Sequence, residues 1–346
     1  MNRRQPTAQW IVVALLVALV AGTGALLAFL GFDVPSAARA LVVGSLGSWY
    51  AIGSATLVRA TPLILTGLAV ALAFRAGVFN IGAEGQFLVG ATAATAVALA
   101  GGSLRSAVLI PLVMAAGMVA GAAWAWIAAL LRTRFHVLEV ISTIMLNFVA
   151  AYLVSYLVRG PLEEPTRVYP QTAAIAQTAQ LRRFGPTTRL HTGFAIAIVA
   201  CAVAWWVIRY SAAGFRLRVV GANPYAAKSA AQIDVMRVTT RAFLVSGALA
   251  GVAGAIEVSG VTYALYENLS PGYGYTAIAV ALVARLDPAW VIVTGVLFGA
   301  LEAGANAMQR DAGVPAVVVS VIEAAIILAL VALERARVPM VVRAAA

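Results

Sequence analysis

Apolar stretches of about twenty residues recur along the whole of this 346-residue chain, and as helices such runs each span about 30 Å of hydrocarbon. In lipid every backbone N–H and C=O must be satisfied internally, which leaves helices or a closed β-barrel. The runs lack the in–out alternation of barrel strands. The expected fold class is therefore an all-α polytopic membrane protein. Composition agrees, since 62% of residues are hydrophobic and 11% charged, whereas soluble domains carry about 25% charged residues. A soluble fold of this size would have too few charges to coat itself.

The formal net charge of +11 would suggest a nucleic-acid partner in a soluble protein. Here Lys and Arg fall in short loops between apolar runs, as the positive-inside rule requires, and no basic stripe interleaves with aromatics. No nucleic acid is expected; membrane lipid is the chain's surroundings. The single cysteine, Cys201, lies inside an apolar run, so no disulfide framework or cysteine zinc site can form. His136 and His191 stand apart near run ends, and no acidic cluster marks a metal site.

Arg3 and Arg4 precede an apolar run over about 10–32, longer than a secretion-signal core, which reads as an uncleaved first helix starting on the cytoplasmic side. The next stretch, 40–75, is too long for one helix and is interrupted by Gly44, Gly47, Gly53, Arg59 and Pro62. Residues 41–58 read as a broken or re-entrant piece, and 61–75 as the part that completes the crossing. Further crossings are expected over 86–100, 106–131, 138–158, 192–208, 242–262, 289–308 and 315–333, with a short helix over 273–285. Residues 159–190 form the largest external segment, holding Glu163, Glu164, Arg167, Arg182, Arg183 and Arg189. The most basic loop holds Arg209, Arg216, Arg218, Lys228, Arg237 and Arg241, the strongest orientation signal. The total is about ten crossings, with both termini cytoplasmic.

The run beginning at Leu65, LTGLAVALAFRAG, aligns with YTAIAVALVARLD beginning at Tyr275. Both contain AVAL followed by Arg75 or Arg285, and Pro62 and Pro271 precede them. Both copies run the same way, so the repeat is parallel; repeats with interrupted helices in corresponding places characterise transporters. The chain reads as one transmembrane domain over 1–346: a first helix (1–40), a first repeat (41–160), an external loop (161–190), a sixth helix with the basic loop (191–241), and a second repeat with a tail (242–346).

Two segments carry candidate chemistry. In Phe79-Asn80-Ile81-Gly82-Ala83-Glu84-Gly85-Gln86, glycines permit close backbone approach while Asn80, Glu84 and Gln86 supply donors and acceptors between two apolar helices. The plainer reading is a tight polar turn. In Gly221-Ala222-Asn223-Pro224-Tyr225-Ala226-Ala227-Lys228-Ser229-Ala230-Ala231, Asn-Pro signals a turn or helix start, and the small residues suit a short helix that another protein can approach. The plainer reading is an ordinary basic loop.

Together with ATPLILTGLAVALAFRAG and the ten-helix plan, these segments resemble the permease subunits of ATP-binding-cassette importers of the ribose and branched-chain amino-acid group, and most closely the larger permease of nucleoside or simple-sugar uptake systems. The resemblance covers nearly the whole chain, and FNIGAEGQ is its most specific part. It implies a type II importer-like fold in a bacterial inner membrane, working with a second related permease (a heterodimer, or else a homodimer), a cytoplasmic ATPase and an external substrate-binding lipoprotein. It also implies that the segment containing Gly221, Asn223, Pro224, Ala226, Ala227, Lys228 and Ala231 seats in the ATPase. ATP and Mg would belong to that partner, with no cofactor in this chain.

A charge at mid-bilayer costs about 2.5–3.5 kcal/mol on insertion scales, so acids there tend to face a bundle interior or a cavity. Glu257, Glu302 and Glu323 lie inside apolar runs, with Asn147, Asn306 and Gln309 on neighbouring ones. Asn80, Glu84, Gln86, Asn147, Glu257, Glu302, Asn306 and Glu323 are thus the candidates for a translocation path or gate, with interhelical hydrogen bonding as the plainer reading. The chain lacks a G-x-x-x-x-G-K-[ST] phosphate loop and any nucleophile–base pair, so it is expected to be a pathway subunit and not an enzyme. The alternative is a proton-coupled secondary transporter that uses the buried acids as a relay.

Overall fold

The computed structural model describes residues 21–315 apart from 231, together with 317, 318, 321 and 324. Residues 10–20 of the first expected crossing and most of the last, with Glu323, lie outside the described residues, as does Ala231. The described helices are α1 (Val34–Leu46), α2 (Leu57–Arg75), α3 (Ala83–Ala100), α4 (Ser106–Phe135), α5 (Glu139–Val158), α6 (Thr192–Tyr210), α7 (Ala212–Ala222), α8 (Pro224–Ser229), α9 (Val235–Glu257), α10 (Tyr273–Val283) and α11 (Pro288–Ala312). Residues 21–29 are also helical. Among the described residues, seven helical segments are long and apolar enough to cross a membrane, while α1 and α10 are apolar but shorter. The chain is a multi-pass, all-helical membrane protein.

The break expected over 41–58 falls at Gly47 and Ser48, where α1 has ended. From Ala51 the chain is continuously helical to Arg75, first as π-helix (Ala51–Thr56) and then as α2. Pro62 lies inside this helix instead of marking its start. A transmembrane helix tolerates proline where local π geometry and Ser/Thr hydroxyls compensate the backbone. Here the Thr61 hydroxyl donates to the Leu57 carbonyl at 2.9 Å and the Thr66 hydroxyl to the Pro62 carbonyl at 2.7 Å.

Two compact units divide the chain. The first holds the described residues up to Ile52 and from Ala300 onward. Its core packs Leu27, Ala37, Met308 and Val314 together, with Gly304 against the backbone of Leu41.

The second unit is Gly53–Gly299. The segment Ala51–Arg75 has 83% of its most apolar window buried, against 22% for α4 and for α6. An apolar helix buried all round is the centre of a bundle, which makes α2 the core and α4, α5 and α6 the periphery. The two AVAL segments lie in helices that pack on one another. Gly67 of α2 meets Val280 of α10, and Arg75 Nη1 donates to the Leu286 carbonyl at 3.0 Å, so the two helices advance in the same direction.

A second seam joins α4 to α9. Gly117 and Gly121 of α4 face Gly247 and Gly251 of α9 with backbone against backbone, and a Cβ at any of the four would strike the opposing helix. Lipid tails give no hydrophobic drive between helices, so small-xxx-small faces of this kind supply the van der Waals contact.

The long segment 159–190 is ordered against the far end of α9. Thr172 N donates to the Leu265 carbonyl, Ile175 N to Tyr263 and Leu181 N to Ser259, each at 2.8 Å. Of its charged residues, Glu164 accepts from Gln171 and Thr166, and Arg183 donates to the Tyr263 hydroxyl at 3.0 Å.

Candidate functional site

The glycine-rich segment is the entry to α3, with Gly82 as its N-cap and Glu84 in its first turn. Asn80 is fully buried. Its Nδ2 donates to Gln86 Oε1 at 2.9 Å and to Ser246 Oγ of α9 at 2.8 Å. Its Oδ1 accepts from Gly82 N at 2.9 Å and from Gln86 Nε2 at 3.1 Å. Two donors and two acceptors are all that an asparagine amide offers, so Asn80 has no valence left for a solute. Asn80 and Gln86 tie the junction to α9.

Asn147, in the middle of α5, clasps the same junction from the other side. Its Oδ1 accepts from Gly85 N at 2.9 Å, and its Nδ2 donates to the Ile81 carbonyl at 2.9 Å and to the Tyr275 hydroxyl at 3.3 Å. Glu84 reaches the start of α10, where its Oε2 accepts from Gly274 N at 2.7 Å, and it also bonds the Ser270 side chain. The first turns of α3 and α10 thus meet at one carboxylate, the charge that helix N-termini favour. Gly274 permits the contact, because a Cβ there would strike the backbone of Glu84.

Glu84 and Asn147 also line an open groove of about 370 Å³ between α3, α5 and the stretch leading into α10, with Ser270, Tyr275, Ser155 and Glu267 along it. That volume falls in the range of small-molecule sites, about 300–1,000 Å³. Glu267 is held in place within this lining. It accepts two bonds from Arg159 at 2.9 and 2.6 Å and one from the Ser155 hydroxyl. These hydrogen bonds, Arg159's first and Ser155's second, hold the Glu267 carboxyl down at about 2. Phe148 and Tyr152 flank the groove with exposed aromatic faces. Hydroxyls, amides, carboxylates and aromatic rings in one groove suit a neutral solute that hydrogen-bonds and stacks. Among the described residues no three His, Cys, Asp or Glu could share a metal ion.

The remaining path candidates fall elsewhere. Glu257 is buried at the end of α9 with Arg59 and Arg189 in electrostatic reach, and it does not line the groove. Glu302 and Asn306 are one turn apart on α11, where Asn306 Nδ2 donates to the Glu302 carbonyl at 2.7 Å. Ser246, Ser270, Gly274, Tyr275 and Glu267 belong to the site but escape a reading of separate motifs. The signal for Glu267 and Ser270 is the polar run Tyr266-Glu267-Asn268-Leu269-Ser270-Pro271-Gly272 between two apolar helices.

The basic loop folds into α7 and α8. Asn223 caps α8, accepting from Ala226 N at 3.0 Å, and Pro224 takes the first turn, where its fixed φ and missing N–H cost nothing. Ala227 is fully buried, whereas Tyr225 is 86% exposed and Lys228 is exposed beside it. Gly221 rests on the Arg75 carbonyl at the end of α2 with no room for a side chain. A short capped turn thus follows α7, whose Gly221 rests on the central helix, and presents Tyr225 and Lys228 outward.

The profile of the family described as "Branched-chain amino acid transport system / permease component" matches residues 52–331. The chain belongs to this family. Its relatives include the guanosine ABC transporter permease protein NupP of Bacillus subtilis, 38% identical over 322 residues that cover 91% of this chain and 90% of NupP. The glucose ABC transporter permease protein TsgB13 of Haloferax volcanii is 39% identical over 333 residues, 93% of this chain and 87% of TsgB13. The nucleoside ABC transporter permease protein NupB of Lactococcus lactis is 32% identical over 324 residues, 91% and 88% of the two chains.

Proposed function

We propose that this chain is a pathway subunit of an ATP-binding-cassette importer for nucleosides, with related simple sugars as the neighbouring solute class. It works beside a second permease and takes its energy from an ATPase seated on α8 while an external binding protein delivers the solute. Its ten crossings leave both termini on the cytoplasmic side of a bacterial inner membrane, and the α2 and α10 regions are two copies of one ancestral unit.

The observation that carries the reading is the groove of Glu84, Asn147, Ser270 and Tyr275. Two of these side chains stand on α3 and α5, helices apolar enough to cross a membrane. Polar groups at membrane depth face protein or water and not lipid, so an open polar groove there needs a partner that closes it into a water-filled path. The second permease is that partner. The names of NupP and NupB support the solute class, as does a groove in which Tyr275, Phe148 and Tyr152 can stack a base while Glu84 and Asn147 take hydroxyls. Family membership favours ATP coupling over a proton relay through the buried acids.

Cysteine labelling of the assembled transporter tests the reading, since Cys201 is buried and gives little background. A charged thiol reagent is expected to modify Tyr275→Cys and to be slowed by nucleoside, while leaving Val119→Cys, on the exposed apolar side of α4, unmodified. Labelling of Val119→Cys as fast as Tyr275→Cys, or none at Tyr275→Cys, would count against a water-filled groove.

A further inference from the structure

A second cavity, of about 520 Å³, runs between α6 and α9 with Leu72 of α2 as its floor. Its walls are aliphatic, from Ile196 through Val199 and Val203 to Ile208 on one side and Val238, Val245 and Leu249 on the other. At the end where α7 turns back beneath α6, two guanidinium groups, Arg216 and Arg241, complete the lining. Both residues are exposed.

These two arginines differ from their neighbours. Arg218 donates to the Ile208 carbonyl, Arg237 pairs with Asp234 at 2.9 Å, and Arg209 lies over the Trp205 ring at 5.7 Å. Among the described residues Arg216 and Arg241 have no carboxylate or ring against them, so two cations stand together at the mouth of an apolar slot. From Ile196 to Ile208 the α6 wall rises about 18 Å, close to the hydrocarbon depth of one leaflet, about 15 Å. Basic pockets between transmembrane helices take anionic headgroups.

We propose that the slot binds an anionic phospholipid, one acyl chain lying between α6 and α9 and the phosphate held by Arg216 and Arg241. The lipid lies under α7, which passes through the single residue Asn223 into α8. An occupied slot therefore braces the helix that presents the exposed Tyr225 and Lys228.

The test uses the assembled transporter with a benzophenone side chain replacing Val203, which lines the slot and is 54% exposed. It is reconstituted in phosphatidylcholine vesicles doped with radiolabelled phosphatidylglycerol and irradiated. Labelled lipid on this chain is expected. Arg216→Gln together with Arg241→Gln should lower the labelling roughly 30-fold, the loss of two surface cations' attraction for an anionic headgroup, while Arg216→Lys with Arg241→Lys keeps most of it. A crosslink to the second permease in place of lipid, equal capture of labelled phosphatidylcholine, or unchanged labelling in the glutamine pair would each overturn the site. Loss of labelling in the lysine pair would also contradict it, because charge would then not be what holds the lipid.

Discussion

At the residue scale, Asn80 and Glu84 lie four positions apart and do different work. Replacing Asn80 with Ala strands Gln86, Ser246 and the Gly82 amide in a buried setting, at about 1–3 kcal/mol for each group left unsatisfied. Asn80→Ala is expected to lower the thermal midpoint of the purified complex, read by a thiol-reactive dye that reaches Cys201 only on unfolding, and Glu163→Ala to shift it little. Glu84→Gln keeps an acceptor for Gly274 N and should assemble normally while transporting poorly, measured as uptake per assembled complex; full transport would remove Glu84 from the path. Glu267 supplies a pH prediction. Its folded-state value of about 2 lies below its ordinary 4.5, so its contribution is complete above about 4.5 and fades as pH falls from there toward 2. The stability gap between wild type and Glu267→Gln should be present near neutrality and close across that acid window. The polarity of Asn80, Glu84 and Gln86 was legible in the sequence. Which of them is saturated by neighbours was not, because Ser246, Asn147 and Gly274 come from helices far along the chain.

At the element scale, periodicity and length placed the central helices, and the differences lie where backbone is irregular. Pro62 signals a helix boundary by local rules, yet tertiary burial and a π turn carry the helix through it. The glycines at 117, 121, 247 and 251 were visible, but two small-residue faces on separate apolar helices do not announce that they pack on each other. Gly121→Leu should prevent close approach of α4 and α9 and abolish recovery of folded complex, whereas Met118→Leu, on the exposed side of α4, should be neutral; size-exclusion yield from solubilised membranes separates the two. The Asn-Pro signal gave α8 correctly, and with Ala227 buried, Tyr225 and Lys228 are the exposed side chains that the proposed ATPase contact would use. Lys228→Glu is expected to lower transport-coupled ATP hydrolysis several-fold with insertion intact, and unchanged coupling would move the contact away from α8.

For the whole molecule, the recurring apolar runs implied an all-helical membrane protein, and the helices bear that out. What the runs could not supply is how polar residues from α3, α5 and the α10 entry come to share one groove, since each stands alone in its own segment and only packing gathers them. Away from that groove, the Arg75 carbonyl at the end of α2 supports Gly221 of α7, the helix that leads into α8. The most direct measurement is uptake of radiolabelled nucleoside into vesicles holding the assembled transporter, with ATP present or absent and with the proton gradient intact or collapsed. Uptake that requires ATP, survives a protonophore and is competed by nucleosides more than by glucose or ribose is the expected result. Uptake that persists without ATP and stops when the proton gradient is collapsed would contradict the account.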